Sequence, residues 1–143
     1  MATDRRADVV WQGDLMNGSG QIGSVTSGAL PKLDVSWAAR SGEAAGKTSP
    51  EELIAAAHAA CFSMALAHGL AQGGNPPERL ETSATVTFQP GEGIQRSALT
   101  VRASVPGMTD ENFKAAAEDA KANCPVSKAL AGTNVELESA ELI

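Results

Sequence analysis

The chain has 143 residues and a net charge of −6, with 11 lysines and arginines against 17 aspartates and glutamates. No cluster of basic residues provides the positive face that phosphate neutralisation requires, which argues against a nucleic-acid partner. This length suits one domain with a core that needs no disulfides, and we predict a single domain over residues 1–143.

The first part of the chain is predicted to form three short strands. Residues 7–11 and 21–26 have the composition of strands, and a turn-rich segment at 13–20 separates them. In 34–39, apolar residues alternate with polar ones, which predicts a third strand before a polar connection.

A long apolar helix is predicted next. Ser49 is a good N-cap, Pro50 takes the first helical position, Glu52 completes a capping box, and paired glycines follow Gln72. A helix without a polar face is expected to be buried on all sides, in the core or in a subunit interface. Its internal polar residues and its acidic start argue against a membrane span, which needs about 20 predominantly apolar residues.

The rest of the chain alternates strands and helices. Residues 81–89 and 97–105 form a predicted hairpin, a helix covers 109–124, a short helix covers 125–131, and 133–142 is the last strand. The longer helix has one apolar stripe, formed by Phe113, Ala117, Ala120 and Cys124. Strands and helices in this order predict the α+β class.

Two cysteines and a start without the apolar region of a secretory signal predict a cytoplasmic protein. Cys61 lies among alanines in the middle of the long helix, where a thiol is usually a small core residue with a raised pKa. Cys124 precedes Pro125 at the start of a short helix, where backbone N–H groups favour a thiolate. The residues alone therefore indicate Cys124 as the more acidic thiol.

The cysteines and histidines also have the chemistry of zinc ligands. His58 and Cys61 share one face of the helix, but His68 lies about 10 Å further along the axis than Cys61. One metal ion cannot span that distance, so we expect no metal and no cofactor. The 62 residues between Cys61 and Cys124 exclude a CxxC motif.

Two longer motifs carry a family resemblance. SPEELIAAAHAACFSMAL at 49–66 and KANCPVSKAL at 121–130 resemble the OsmC branch of the OsmC/Ohr thiol peroxidases. Shorter matches to the family, WQGD, GSGQIGSVTSG and VPGM, occur in the same order along the chain. The resemblance implies an OsmC-like fold with antiparallel-rich sheets around long central helices, in an intertwined homodimer.

The same resemblance implies reduction of organic hydroperoxides, and also of hydrogen peroxide. In that scheme Cys61 is the peroxidatic thiolate and Cys124 is the resolving thiol that closes a disulfide. The implied reductant is a dithiol, such as a lipoylated protein. The family pairs the peroxidatic cysteine with an arginine and a glutamate, which fall on Arg40 and Glu51.

Physical chemistry gives a reason for both partners. A thiol at mid-helix has no helix terminus to stabilise its anion, so an arginine must provide the charge for Cys61. Glu51 lies ten residues before Cys61, about 15 Å along a straight helix. Either Arg40 bridges that distance or Glu51 serves the other subunit, and we favour an arrangement at the interface.

Two other functions are compatible with the residues. The first is a non-catalytic dimer that binds small apolar ligands through an alanine-lined interface. The second is a metal-binding module. In each case we expect no membrane and no nucleic acid as a partner.

Overall fold

The computed structural model describes residues 1–143 and has the mixed α+β composition that the sequence predicts. Its elements are β1 (Ala7–Gln12), β2 (Ser19–Val25), β3 (Leu33–Val35), α1 (Trp37–Ser41), α2 (Pro50–Gln72), β4 (Arg79–Gln89), β5 (Gly93–Ser104), α3 (Asp110–Asn123), α4 (Pro125–Ala129) and β6 (Asn134–Leu142). The chain divides into two compact units, Met1–Leu53 and Ile54–Ile143, with the boundary in the first turn of α2. That the chain is one domain stays a prediction.

The N-terminal unit contains an antiparallel sheet in the order β1-β2-β3. The prediction of a strand over 34–39 is wrong beyond Val35, because the short helix α1 begins there instead. The hydroxyl of Ser36 accepts a hydrogen bond of 3.1 Å from the Ala39 N–H. A serine that caps a helix in this way takes its backbone out of the strand ladder.

The C-terminal unit contains a sheet in the order β4-β5-β6. The predicted hairpin is confirmed, since β4 and β5 pair antiparallel along their length. The last strand β6 pairs parallel to β5, which requires the crossover that α3 and α4 provide. The predicted apolar stripe of α3 is buried at all four positions, which are Phe113, Ala117, Ala120 and Cys124.

Helix α2 has the predicted bounds, and within the single chain only one of its faces is buried. The Ser49 hydroxyl accepts the Glu52 N–H at 3.1 Å, so the predicted cap is present. One face is buried, through His58, Phe62, Leu66 and Leu70. The opposite face is exposed in the single chain, with Met64 72% exposed. By length and composition α2 could also cross a membrane, a test that core helices of soluble proteins pass as well.

Candidate active site

The fold brings the two cysteines together. Cys61 lies in α2 and Cys124 lies between α3 and α4, and the two thiols are close enough that each shifts the pKa of the other. Both are free thiols; Cys124 is fully buried and Cys61 is partly buried. Nothing in the spacing of the two motifs required this contact.

The surroundings of the two sulfurs shift their pKa values in opposite directions. Burial raises the pKa of Cys61, and the neighbouring Cys124 raises it further. Burial would also raise the pKa of Cys124, but hydrogen bonds from Cys61, from the Ser127 N–H and hydroxyl and from the Val126 N–H lower it. The net direction for Cys124 is downward, which agrees with its position at the start of α4.

A buried histidine lies beside the thiols. His58 is 0% exposed, and its Nδ1 and Nε2 atoms lie 2.6 Å from the Ser97 Oγ and 2.8 Å from the Ser127 Oγ. Burial lowers the pKa of His58, so its ring is neutral near pH 7. We refer to Cys61, Cys124, His58, Ser97 and Ser127 as the thiol cluster.

The other two predicted site residues form an ion pair. Arg40 in the last turn of α1 donates from Nε to both carboxylate oxygens of Glu51, at 2.9 and 3.2 Å. A second nitrogen of Arg40 donates to Glu51 Oε1 at 2.8 Å. Glu51 is buried, and a buried carboxylate is costly unless it is paired in this way. The pair therefore fixes the direction of the guanidinium.

Arg40 also lines an apolar cavity of about 300 Å³ within the N-terminal unit. The other lining residues are Val9, Trp11, Leu15, Ile22, Val35, Ser36, Trp37, Pro50 and Leu53. We refer to Arg40, Glu51 and this cavity as the arginine pocket. A larger cavity of about 530 Å³ in the same unit has a more polar lining and contains none of the candidate site residues. A cationic group on an apolar wall suits a small ligand with one polar end.

The zinc hypothesis gains no support from the side chains. No three histidine, cysteine, aspartate or glutamate side chains in the chain come together as a metal site. Both ring nitrogens of His58 bind serine hydroxyls, which removes the ligand pair that His58 and Cys61 were considered to form.

Sequence reasoning missed two serines and most of the residues that line the apolar cavity, which was expected to be lined by leucine, methionine and alanine. Ser127 lies within the KANCPVSKAL motif, three residues after Cys124, where a capping cysteine would be expected to meet its backbone N–H. Ser97 gave no local signal, because only the pairing of β5 and the packing of α2 bring it to His58. The cavity depends on three segments that are distant in sequence.

The fold and the cluster define an α+β protein with a close pair of buried and partly buried thiols. The model of the OsmC family, described as OsmC-like protein, matches residues 42–139, and the chain belongs to this family. It is 38% identical over 133 residues to Peroxiredoxin OsmC of Escherichia coli strain K12, covering 91% of this chain and 92% of the relative.

Solved structures agree with the family. The organic hydroperoxide resistance protein OhrB of Bacillus subtilis is similar with a TM-score of 0.68 and 28% identity, over 94% of this chain and 97% of that one. A Legionella pneumophila structure, described as an organic hydroperoxide resistance protein OsmC, has a TM-score of 0.65 and 27% identity, over 96% and 97%. The OsmC-like fold expected from the motifs is therefore confirmed.

Proposed function

We propose that this protein is a thiol-dependent peroxidase that reduces organic hydroperoxides, and also hydrogen peroxide. Peroxidase activity in general follows from its membership in a family whose relatives include a peroxiredoxin and hydroperoxide resistance proteins. The observation that carries the finer proposal is the contact between Cys61 and Cys124. Two free thiols that interact directly are the arrangement from which a disulfide can form.

The proposed cycle has three steps. The Cys61 thiolate attacks the outer oxygen of the hydroperoxide, the O–O bond breaks, and the alcohol leaves with a proton while Cys61 becomes a sulfenic acid. The Cys124 thiolate attacks the Cys61 sulfur, an S–S bond forms, the S–O bond breaks, and the released hydroxide takes up a proton to become water. A dithiol, such as a lipoylated protein, then reduces the disulfide and is itself oxidised.

Arg40 is proposed to stabilise the Cys61 thiolate and to bind the peroxide oxygens. An arginine stays protonated, and its planar fork can bind a carboxylate and still have N–H groups for a second acceptor. The three hydrogen bonds to Glu51 hold that fork in one orientation. Glu51 is thus proposed as the residue that positions Arg40 rather than one that contacts the sulfur.

The arginine pocket is proposed to receive the organic part of the substrate. Its volume of about 300 Å³ lies at the lower end of the range for small-molecule sites. Apolar side chains would cover an alkyl or aryl group, and the peroxide end would face Arg40. This favours a compact hydroperoxide such as cumene hydroperoxide.

A homodimer is proposed to cover the exposed face of α2. The apolar face of that helix includes Met64, and large apolar side chains of β1 are exposed in the single chain as well. Exposed apolar surface of this extent marks an interaction site. We place the protein in the cytoplasm, where a reducing environment keeps both thiols free between turnovers.

Mass spectrometry after addition of cumene hydroperoxide tests the cycle. The wild-type chain should lose about 2 Da as the Cys61–Cys124 disulfide forms, and Cys124→Ser should leave a sulfenic acid on Cys61 that dimedone traps. Cys61→Ser is the matched control and should consume no peroxide. If both thiols stay reduced under excess peroxide, the peroxidase proposal is wrong.

The arginine pocket also favours a second function, the binding of small apolar ligands without catalysis. In that case cumyl alcohol and cumene hydroperoxide would bind equally well, since the cavity would recognise only the shared hydrocarbon. If titration calorimetry showed that cumyl alcohol binds, and both thiols stayed unchanged under peroxide, this alternative would be supported over the peroxidase.

A further inference from the structure

His58 has no part in the proposed cycle, although it lies one helical turn before Cys61 and is fully buried. Its ring connects three elements, because Ser97 belongs to β5 and Ser127 belongs to α4. Burying a histidine ring costs free energy unless both of its nitrogens make hydrogen bonds. The directions of those hydrogen bonds can be deduced.

The Cys124 sulfur fixes the direction of the first hydrogen bond. The Ser127 hydroxyl is one of the groups that lower the pKa of Cys124, and once Cys124 is ionised its thiolate can only accept hydrogen bonds. Ser127 has one hydroxyl hydrogen, so when that hydrogen faces the sulfur the oxygen must accept from His58. The contact of 2.8 Å with Nε2 then requires a proton on Nε2.

The neutral ring has one donor and one acceptor, so a proton on Nε2 leaves Nδ1 as the acceptor. The Ser97 hydroxyl, 2.6 Å away, must therefore donate to Nδ1. Ser97 then donates to His58, His58 donates to Ser127, and Ser127 donates to Cys124. The reverse orientation would turn the Ser127 hydrogen away from the sulfur.

We propose that Ser97, His58 and Ser127 form a directional chain of hydrogen bonds in which His58, as the Nε2–H tautomer, holds the Ser127 hydroxyl hydrogen on the Cys124 sulfur. His58 is a positioning residue in this scheme, since it acts on Cys124 only through Ser127. Its value for turnover rests on the proposed function, in which the Cys124 thiolate attacks the Cys61 sulfenic acid. The direction of the chain does not depend on that function.

Nitrogen-15 NMR of the reduced wild-type protein, at a pH where Cys124 is ionised, tests the tautomer directly. The chain has two histidines, and His68→Gln assigns the signals of His58 because His68 is exposed on the same helix. We expect a protonated Nε2 and an unprotonated, hydrogen-bonded Nδ1. A proton on Nδ1 would overturn the proposal, because Ser127 would then have to donate to the ring.

Titration of Cys124 tests the effect on the sulfur. In a Cys61→Ser background only Cys124 titrates, and thiolate absorbance or alkylation by iodoacetamide measures its ionisation. Ser127→Ala should reduce the thiolate fraction near neutral pH about tenfold, because the lost hydrogen bond is made to a charged acceptor. Ser127→Thr is the matched control, since it keeps the hydroxyl and should retain the wild-type value.

Two histidine variants complete the test. His58→Gln can place an amide donor near the position of Nε2 and should retain most of the thiolate. His58→Asn places its amide near Nδ1 and should lose thiolate about tenfold, as Ser127→Ala does. Equal titration of Ser127→Ala and Ser127→Thr would contradict the proposal. No peroxide is used, so a failed peroxidase assay with these shifts intact would disprove only the proposed function.

Discussion

In the N-terminal unit an arginine is held by a buried carboxylate beside an apolar cavity, whereas in the C-terminal unit two thiols are surrounded by neutral donors. The arginine pocket has a permanent charge and space for a ligand. The thiol cluster has the reactive atoms, and within residues 54–143 the groups that shift the two thiol pKa values are the other thiol, backbone N–H groups and one hydroxyl.

This difference bears on which cysteine reacts with peroxide. The neutral donors of the cluster favour the Cys124 thiolate and leave the pKa of Cys61 raised. If Cys61 is the peroxidatic residue, as the family motif implies, a charge must be added to it that the cluster does not contain. Arg40 is the residue that the family motif indicates for this purpose, and we propose that the homodimer delivers it.

The two cysteines should differ most clearly when each is replaced. Cys61→Ser should reduce peroxide consumption to the rate of buffer alone, because no thiolate remains to attack the O–O bond. Cys124→Ser should consume one equivalent of cumene hydroperoxide per chain and then stop, since the sulfenic acid has no resolving partner. Stopped-flow measurement of peroxide loss separates the two. If Cys61→Ser retained a single turnover and Cys124→Ser retained none, the roles would be reversed.

Removal of the charge should have the next largest effect. Arg40→Ala should slow the oxidation of Cys61 about 10- to 100-fold near neutral pH, because loss of a neighbouring cation raises a thiol pKa. Arg40→Lys keeps the charge without the planar fork and should lie between wild type and Arg40→Ala. The rate should be measured as dimedone-trapped Cys61 in the Cys124→Ser background. Equal rates for Arg40→Ala and wild type would show that the arginine pocket does not contribute to the oxidation of Cys61.

Mixed dimers show which subunit supplies Arg40. Arg40→Ala subunits mixed with Cys61→Ser subunits should recover up to half of the activity per dimer if Arg40 acts on the partner's Cys61. They should recover none if Arg40 acts within its own chain. As the control, the double variant mixed with wild type should give the opposite pattern. Size-exclusion chromatography of each mixture must first establish that the dimers form.

The sequence predicted most of the fold, because helix caps, turns and periodic apolar positions are local features. The bounds of α2 and the stripe of α3 follow from such features. The strand over 34–39 was wrong because alternation of apolar and polar residues was weighed above the capping serine Ser36. The expected burial of α2 on all sides included burial in a subunit interface, and it stays a prediction because the exposed face belongs to a single chain.

The candidate site also combines features that local sequence patterns predict with long-range contacts that they do not. Local chemistry indicated an acidic Cys124, and its pKa is lowered as expected. Long-range contacts did not follow from spacing, and the Arg40–Glu51 pair and the contact of Cys61 with Cys124 were expected only from the family motif. His58 and Cys61 were correctly placed on one helix face, but the serines that bind His58 come from β5 and α4, which no local pattern links to it.

The apolar wall of the arginine pocket should affect organic substrates selectively. Leu53→Ser should lower kcat/KM for cumene hydroperoxide about tenfold, because the aryl group loses an apolar contact. Hydrogen peroxide has no hydrocarbon part, so its kcat/KM should stay within about twofold of wild type. Leu53→Met, a change of similar volume, is the control and should preserve both values. A parallel loss for both peroxides would show that the cavity does not bind the organic group.

The smallest expected effect is a pH dependence of the free energy of unfolding, and it comes from His58 in the thiol cluster. Burial lowers the pKa of His58 in the folded state, so below about pH 6.5 the unfolded chain binds a proton that the folded chain does not. Stability should therefore fall as the pH decreases from about 6.5, with a slope of at most about 1.4 kcal/mol per pH unit from this residue.

Urea unfolding under reducing conditions, repeated at a series of pH values, measures this slope. His58→Gln should lack this component of the slope. Equal slopes for wild type and His58→Gln would mean that the ring accepts a proton without leaving its two serines, and the neutral tautomer assigned to the thiol cluster would then be lost at mildly acidic pH.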